Sequence, residues 1–323
     1  MATPTELGRT RYTQVASVVR SVVQQVQVLW KGMSPSTVED DLEGAAGAAI
    51  VAAVAQGQLT VADAAQAYIA AQMAAQGGTA LAEATLVAAA FAGVAPDGGP
   101  LETLLYLPAI GVRRRLAAGM GPDEAMLGGL ADMARYASTA VADAARSADQ
   151  VGMTANRSCV AYVRVVRLPA CARCIILSGQ MYRYSEGFLR HPNCDCQTLP
   201  LREKEWPSVP TPQQLFERMP QGEQRRVFGV AGARAIGEGA DAAQVVNARR
   251  GMSRPSASTT TEGITRRGLY GRRMRRAGGG FARYPGQRYS RSTAPRLTPD
   301  AIFRQASGRG EQLELLRRYG YIV

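Results

Sequence analysis

The segments "LPACARCIILSG" (Leu168–Gly179) and "LRHPNCDC" (Leu189–Cys196) hold four of the chain's five cysteines and its only histidine. These reactive residues are concentrated in the 26 residues from Cys171 to Cys196. Such a concentration indicates that the side chains meet in space. They either hold a local structure together or carry out catalysis.

The spacing of these residues predicts a structural zinc site. The pattern is C-x2-C, then sixteen residues, then H-x2-C-x-C. Two thiolates on one turn bind Zn²⁺ at about 2.3 Å, and a second pair completes the tetrahedron. Five residues compete for the four places: Cys171, Cys174, His191, Cys194 and Cys196. We favour the first four, because Cys194 and Cys196 are too close to make an easy joint pair, and the alternative is an all-cysteine site.

A catalytic role for the same cluster is less well supported. Cys174 or Cys194 would serve as the nucleophile and His191 as its base. Zinc ligation would occupy these groups, and the chain has no second histidine. The lack of another histidine also argues against a serine protease or a histidine-dependent nuclease. We therefore expect no enzyme activity, and we expect Cys159, outside the cluster, to be a core residue.

The sequence around the first cysteine pair predicts a β-hairpin. "SCVAYVRVVRLP" (Ser158–Pro169) is dense in β-branched residues and alternates in polarity, which predicts a strand. "QMYRYSEGF" (Gln180–Phe188) predicts a second, shorter strand, so the C-x2-C motif lies at the turn between them. A two-stranded hairpin is marginal alone, and a zinc clamp would stabilise it.

The first 150 residues are rich in alanine and predict a helical region. Ser36 and Thr60 each precede an acid by three residues, as helix N-caps do, and Pro108 predicts a kink or a break in the fifth helix. The expected helices are Glu6–Lys31, Val38–Ala55, Val61–Gln76, Ala80–Ala92, Leu101–Met120 and Pro122–Gln150. The fold class is therefore α+β and mostly α.

The C-terminal part predicts helices separated by a linker. Thr211 and Thr298 each precede a proline, which favours a helix start at both places. Glycine, serine, threonine and arginine dominate between them from Met252 to Leu297, where no regular structure is expected. The predicted organisation is a helical region (1–150), a zinc-clamped hairpin with following helices (151–250), a basic linker (251–297) and a helical hairpin (298–323).

Hydropathy gives no sign of a secretory signal or a membrane span. The polar start "MATPTELGRTRYTQ" lacks the apolar run of a signal peptide, so we expect synthesis and use in a cytoplasm. The apolar stretch Thr79–Ala95 contains Glu83 and is shorter than the roughly 20 residues of a span. With 46% hydrophobic residues the chain can bury a core, and we expect no membrane partner.

Most of the net charge of +12 comes from one segment. Residues 251–296 contain eleven arginines and a single acid, Glu262. The eight arginines expected to contact nucleic acid are Arg266, Arg267, Arg272, Arg273, Arg275, Arg276, Arg283 and Arg288. Arginines neutralise phosphates, and the interspersed Tyr270, Phe281, Tyr284 and Tyr289 can stack on bases. The alternatives are a solvated linker and a tail that docks on an acidic protein.

Several of these elements together resemble a known family. The strand followed by "PACARC", the segment "YSEGFLRHPNCDC", a preceding helical region and the later "NARRGM" are similar to the Mu F-like minor head proteins of tailed bacteriophages, also called phage head morphogenesis proteins. The resemblance spans Ala131–Met252 and does not cover the C-terminal extension. The arginine-rich composition, with only two lysines, suits a phage of a high-GC host.

The resemblance implies a minor capsid component without enzyme activity. Its expected partners are the portal protein, the major capsid protein and packaged DNA, and its expected place is the capsid interior near the portal vertex, after assembly in the host cytoplasm. A zinc-ribbon nucleic-acid-binding regulator is the alternative, since Val160–Pro200 carries five arginines and two acids. A maturation protease or packaged effector would need a catalytic set outside the cluster, and the sequence shows none.

Overall fold

A computed structural model describes residues 2–187, 196–202, 209–249, 258–283, 285–286 and 290–322. The chain divides into two units, Met1–Val165 with Gly179–Val209 and Val166–Ser178 with Pro210–Val323. The architecture is α+β and mostly helical, with small sheets, which confirms the predicted fold class.

Six helices form most of the first unit. Thr3 begins the first of them with a capping box, in which its side chain and that of Glu6 each accept from the other residue's backbone N–H, and Pro4 follows at the first helical position. The helices are α1 (Pro4–Trp30), α2 (Val38–Glu43), α3 (Ala45–Asp63), α4 (Ala65–Ala75), α5 (Leu101–Ala117) and α6 (Pro122–Thr154). The predictions of α1, α5 and α6 are confirmed to within a few residues.

The core of this unit lies between α1, α3, α5 and α6. Val26 of α1, Ile50 and Val54 of α3, Val112 of α5 and Val141 of α6 are all completely buried. Alanine occupies many of the remaining buried positions on α6, and its small side chain lets the helix backbones approach closely. The abundance of alanine therefore serves close helix packing.

Three features of the predicted helical region differ from the structure. Thr60 is not a cap: it lies inside α3, and its hydroxyl donates to Gln56 O at 2.8 Å. Ser36 is not a cap either, because Thr37 precedes α2 and makes no side-chain cap bond. Pro108 does not break α5, which continues on both sides of it. The boundary between helices that the sequence predicts after Ala55 lies instead at Ala64, between α3 and α4.

The helix predicted at Ala80–Ala92 is wrong. Only a 3₁₀ turn at Ala88–Phe91 forms there. The backbone of this stretch bonds to other elements instead: Glu83 N donates to Ala155 O at 2.8 Å, and the side chain of Gln66 bonds both Ala84 O and Leu86 N at 3.0 Å. These long-range bonds replace the bonds of a local helix.

The stretch Ala45–Ala75 is long and apolar enough to cross a membrane by length and composition alone. It comprises α3 and α4, and 39% of its apolar window is buried inside the protein. Core helices of globular proteins pass the same test, and this stretch supplies Ile50, Val54 and Val61 to the helical core.

A three-stranded antiparallel sheet completes the first unit. Its strands are β1 (Ala161–Val165), β2 (Met181–Arg183) and β3 (Gln197–Leu201), in the order β2-β1-β3. β1 and β2 confirm the two predicted strands, with Tyr162 opposite Tyr182 and their rings stacked at 5.3 Å. β3 was not predicted, and it pairs with the whole length of β1. Residues of β1 contribute to two apolar clusters. One includes Tyr68 and Met153, and the other includes Leu199 and Leu201.

The second unit consists of short helices and two-residue strands. Thr211 and Thr298 each accept a hydrogen bond from a backbone N–H at the start of a helix, Pro212–Glu217 and Pro299–Gln305, which confirms both predicted helix starts. The helices are α7 (Ala172–Ile175), α8 (Pro212–Glu217), α9 (Gln221–Phe228), α10 (Val230–Gly237), α11 (Ala242–Ala248), α12 (Leu269–Arg276), α13 (Pro299–Gln305) and α14 (Arg309–Arg318). The strands pair as β4 (Thr259–Thr260) with β7 (Arg296–Leu297) and β5 (Phe281–Ala282) with β6 (Arg291–Ser292).

The segment predicted to be an unstructured linker contains regular structure. α12 and the four strands β4 to β7 all lie between residues 258 and 297. Arg296 anchors this region: its side chain, 1% exposed, donates to Gln244 Oε1 at 3.1 Å and to Tyr319 O at 3.3 Å, and it lies 4.4 Å from the ring of Tyr321. A buried arginine with these partners connects β7 to α11 and to the C-terminal segment.

Candidate functional site

The first cysteine pair lies at the start of the short helix α7, between β1 and β2 along the chain. Cys171 precedes α7, and its Sγ accepts a hydrogen bond from Cys174 N at 3.3 Å. Cys174 is buried and Cys171 is half-buried. A sulfur that accepts from a backbone N–H is stabilised as a thiolate, which is the form that binds a metal.

Cys196 lies immediately before β3 and is in contact with two arginines of the first unit. Arg164 Nη2 lies 3.5 Å from Cys196 Sγ, and Arg146 Nε donates to Cys196 O at 2.8 Å. Both guanidinium groups are buried, and Arg146 also pairs with Asp143. A positive charge beside a sulfur favours the thiolate. The donors around Cys171 and around Cys196 therefore both fit the chemistry of a zinc-bound cysteine.

The remaining predicted zinc ligands, His191 and Cys194, lie outside the described residues. Within the described ranges, no group of three or more histidine, cysteine, aspartate or glutamate side chains is arranged to hold a metal ion. Cys171 and Cys174 belong to the second unit and Cys196 to the first. The zinc site stays a prediction from the sequence pattern.

Cys159 is a core residue, as the sequence predicts. It is 3% exposed and packs in a cluster with Tyr68, Met153 and Tyr162. Burial raises the pKa of its thiol to about 11. A thiol with this pKa is protonated at neutral pH, so Cys159 is neither a nucleophile nor a thiolate ligand there.

The arginine-rich sequence "GRRMRR" forms the greater part of α12. Gly271 and Met274, three residues apart, are buried, and Arg272, Arg275 and Arg276 are exposed. A Cβ at position 271 would lie 1.9 Å from Thr265 O, so only glycine fits where this helix meets the preceding turn. The packing of one face therefore directs the arginines of the other face to solvent.

Arg273 has a second role on the same helix. Its Nη1 donates to Arg317 O at 2.7 Å, at the C-terminal end of α14. A guanidinium at this place adds a side-chain donor to a terminal helix carbonyl, which also accepts from Gly320 N at 3.1 Å, and it opposes the negative end of the helix dipole. The bond brings Arg317 and Arg318, both exposed, beside the arginines of α12. Nothing in the local sequence links these two arginines to residues more than forty positions earlier.

Arginines outside α12 extend the exposed positive surface. Arg266, Arg267 and Arg283 are exposed, and Arg266 lies over the ring of Phe281 at 5.6 Å. Arg288 lies outside the described residues. We use "arginine surface" for the exposed arginines of the second unit at these positions: Arg266, Arg267, Arg272, Arg273, Arg275, Arg276, Arg283, Arg317 and Arg318.

Not every arginine and aromatic residue of this segment is available to a ligand. Arg296 is buried, and Arg291 forms an ion pair with Glu262 at 2.7 Å. Tyr270 donates to Pro295 O at 2.8 Å and packs 5.7 Å from the ring of Tyr319. Tyr270 therefore holds α12 in place. Tyr284 and Tyr289 lie outside the described residues.

The chain matches no protein-family model, no curated protein and no solved structure. Its function is therefore inferred from the chemistry of its own residues.

Proposed function

We propose that this protein is a non-enzymatic minor head protein of a tailed bacteriophage. It lies in the capsid interior near the portal vertex and links the portal protein, the major capsid protein and packaged DNA. The spacing of cysteines and histidine from Cys171 to Cys196 supports the family. The single observation that carries the DNA contact is the row of exposed arginines on α12.

The arginine surface supports binding to DNA without sequence preference. Guanidinium groups contact phosphate oxygens, and such contacts position a protein on the duplex without reading its sequence. Non-specific complexes of this kind have dissociation constants of about 10⁻⁴ to 10⁻⁶ M at physiological salt. That affinity is sufficient where DNA is packed at high concentration, as it is inside a phage head.

A structural zinc ion is part of the same proposal. Four of the five residues Cys171, Cys174, His191, Cys194 and Cys196 would hold it. The backbone N–H that bonds Cys171 Sγ and the guanidinium beside Cys196 Sγ are the kinds of donor that orient and stabilise metal-bound thiolates. When bound, zinc supplies folding free energy to the small sheet.

The zinc-ribbon regulator is the weaker candidate. It would use the arginines around the cysteines to contact nucleic acid. Arg164, the arginine of β1, is 1% exposed and contacts Cys196, so it is not accessible to nucleic acid. Arg167, Arg173 and Arg183 are exposed, and Arg190 lies outside the described residues, so the described part of this module offers three exposed arginines against the nine of the arginine surface.

Mass spectrometry of purified, DNA-filled virions tests the proposed function. The chain should be present in each particle in few copies, and particles made without its gene should lack it and show reduced DNA content or infectivity. A regulator would be abundant in the infected-cell extract and absent from purified particles. That second result would contradict the proposed function.

A further inference from the structure

A further feature of the first unit is an apolar groove. Two concavities of about 720 Å³ and 490 Å³ adjoin α5, and Leu107 and Ile110 line both of them. These two side chains are 40% and 36% exposed, so the apolar surface continues from one concavity to the other. Contiguous exposed apolar surface marks an interaction site more often than scattered residues do.

Helix α3 also lines the larger concavity. Its exposed Ala48 and Ala52 are small, and they lie beside Ile50 and Val51 of the same helix. Gly47 is required here, because a Cβ at this position would lie 1.8 Å from Leu42 O of α2. A concavity lined by the partly exposed Leu107 and Ile110 of α5 and by small exposed alanines of α3 can accept the apolar side chains of a helix.

The rim of the larger concavity is acidic. Glu43 and Glu102 line it, and α2 contributes three further acids, Glu39, Asp40 and Asp41. Arg113 pairs with Glu39, and Arg114 and Arg115 line the smaller concavity, where Arg115 pairs with Asp132, so the carboxylates define the charge of the larger concavity. Desolvation and the charges of Glu39 and Glu43 raise the pKa of Tyr106, whose ring lies at the same rim. This part of an otherwise basic protein therefore attracts positive charge.

We propose that this groove binds an amphipathic helix of another protein, with aliphatic or aromatic residues against Leu107 and Ile110 and with lysine or arginine beside α2. Leu107 and Ile110 would contact the apolar face of such a helix, and the carboxylates of the rim would contact its basic side chains. α5 is 17 residues long, about 25 Å at 1.5 Å per residue, so a helix of about 16 residues spans it. The inference is independent of the proposed role in a phage head.

A membrane surface is the other class of partner that an apolar face can bind. The acids of the rim oppose it, because anionic lipid head groups would be repelled by Glu43, Glu102 and the carboxylates of α2. The observed charge therefore favours a basic helix, and lipid binding becomes an outcome of the test.

The experiment selects ligands from a displayed library of random 16-residue peptides. The full-length protein is the bait, and the Leu107→Asp/Ile110→Asp double variant removes clones that bind elsewhere. Enriched peptides should carry apolar residues at i, i+3 or i+4 and i+7 and an excess of lysine and arginine. Synthetic copies should bind the wild type with affinities that fall at least tenfold for the double variant.

Two further variants complete the test. Leu127→Asp is the matched control, because Leu127 is 67% exposed on α6 and lines neither concavity, and binding should be unchanged. Glu43→Lys/Glu102→Lys keeps Leu107 and Ile110 and should lower the affinity for basic peptides at least fivefold. This variant tests the proposal even if the aspartate variant misfolds, which circular dichroism would reveal.

Three results would overturn the proposal. One is a selection that enriches no peptide. Another is an enriched set that is acidic or that binds both groove variants as well as the wild type. The third is flotation of the wild type with phosphatidylcholine–phosphatidylglycerol vesicles that the Leu107→Asp/Ile110→Asp variant has lost, since the groove would then be a lipid surface.

Discussion

Arg11 of α1 and Asp149 of α6 form an ion pair inside the first unit: Arg11 Nη2 lies 2.7 Å from Asp149 Oδ1, and the side chains are 1% and 0% exposed. Arg11 also donates to Val61 O of α3 at 2.8 Å and lies 5.7 Å from the ring of Tyr68. Tyr68 in turn donates to Thr198 O of β3 at 2.8 Å. One buried charge pair therefore links three helices, and Tyr68 carries the connection to the sheet.

Replacing Arg11 alone should strongly destabilise the protein. Arg11→Met leaves Asp149 buried without its partner, which costs about 3–5 kcal/mol of unfolding free energy. Urea denaturation followed by circular dichroism measures the loss. The double variant Arg11→Met/Asp149→Leu removes both charges and should recover a large part of it. Equal destabilisation by the single and double variants would show that packing, and not the orphaned charge, dominates.

The loss in Arg11→Met should depend on pH. Burial raises the pKa of Asp149, and Arg11 opposes the rise, so removing Arg11 raises it further. A folded-state pKa above the unfolded value means that the folded state binds more protons, so stability falls as pH rises between the two values. The variant should therefore be closer to wild type at pH 5 than at pH 7.5. A pH-independent difference in unfolding free energy would contradict this account.

Helices whose start has a local signal could be predicted from the sequence. α1, α8 and α13 each begin at a threonine followed by a proline, so neighbouring residues signal the start of each helix. The failure at Ala80–Ala92 has a different origin. Its alanine-rich sequence favours a helix, but Gln66, fourteen or more positions earlier, takes the backbone bonds that a helix would need.

β3 escaped prediction because its sequence, "QTLPL", contains a proline and follows a cysteine motif. Pro200 lies opposite Tyr162 of β1, and the residues around it are buried. Burial on both faces removes the alternation that identifies a half-exposed strand. The register with β1 is a long-range property that the local pattern does not contain.

The candidate site was predictable in its residue types and less so in its arrangement. Counting charges along the chain locates the arginines of α12. It does not reveal that Arg296 is buried or that Arg273 caps α14 and adds Arg317 and Arg318 to the surface. Those facts depend on which helix ends meet in the second unit.

Gly271→Ala should disturb the packing of α12 against the preceding turn. A Cβ at this position would lie 1.9 Å from the backbone oxygen of Thr265, and overpacking of this kind costs about 1–3 kcal/mol. Thermal unfolding should show the loss. Gly310→Ala is the matched control, because Gly310 lies in α14 with open space around it, and alanine should stabilise by up to about 1 kcal/mol. If both variants behave alike, the close contact of Gly271 is not important.

Zinc removal should unfold the cysteine-containing region. Cys171→Ser or Cys174→Ser should lower both zinc content, measured by atomic emission, and the yield of soluble protein, because binding and folding are one equilibrium. His191→Ala and Cys196→Ser identify the fourth ligand. If His191→Ala keeps full zinc and Cys196→Ser loses it, the all-cysteine set is correct. A well-folded Cys171→Ser/Cys174→Ser variant with stoichiometric zinc would contradict the site.

DNA binding should follow the exposed arginines of α12. On duplex DNA the salt slope is about 0.9 per neutralised phosphate, so Arg272→Gln/Arg275→Gln/Arg276→Gln should lower it by up to about 2.7. Fluorescence anisotropy with a random-sequence duplex between about 50 and 200 mM salt measures the slope. The control is a second triple variant of exposed arginines with the same charge change, Arg9→Gln, Arg20→Gln and Arg225→Gln. If both triple variants lower the salt slope equally, binding depends on net charge and not on the arginines of α12.

Arg317 and Arg318 separate an ordered arginine surface from an arginine-rich linker. If α12 contacts DNA as a free chain, these residues of α14 should not affect binding, and a peptide of residues 251–296 should reproduce the salt slope of the whole protein. The bond between Arg273 Nη1 and Arg317 O holds the end of α14 beside α12, so we expect both to contact phosphates. Arg317→Gln/Arg318→Gln should then lower the slope by up to about 1.8, and the peptide should show a smaller slope than the intact protein. An unchanged slope in the double variant, with equal slopes for peptide and protein, would show that the segment binds DNA without the helix that it packs against.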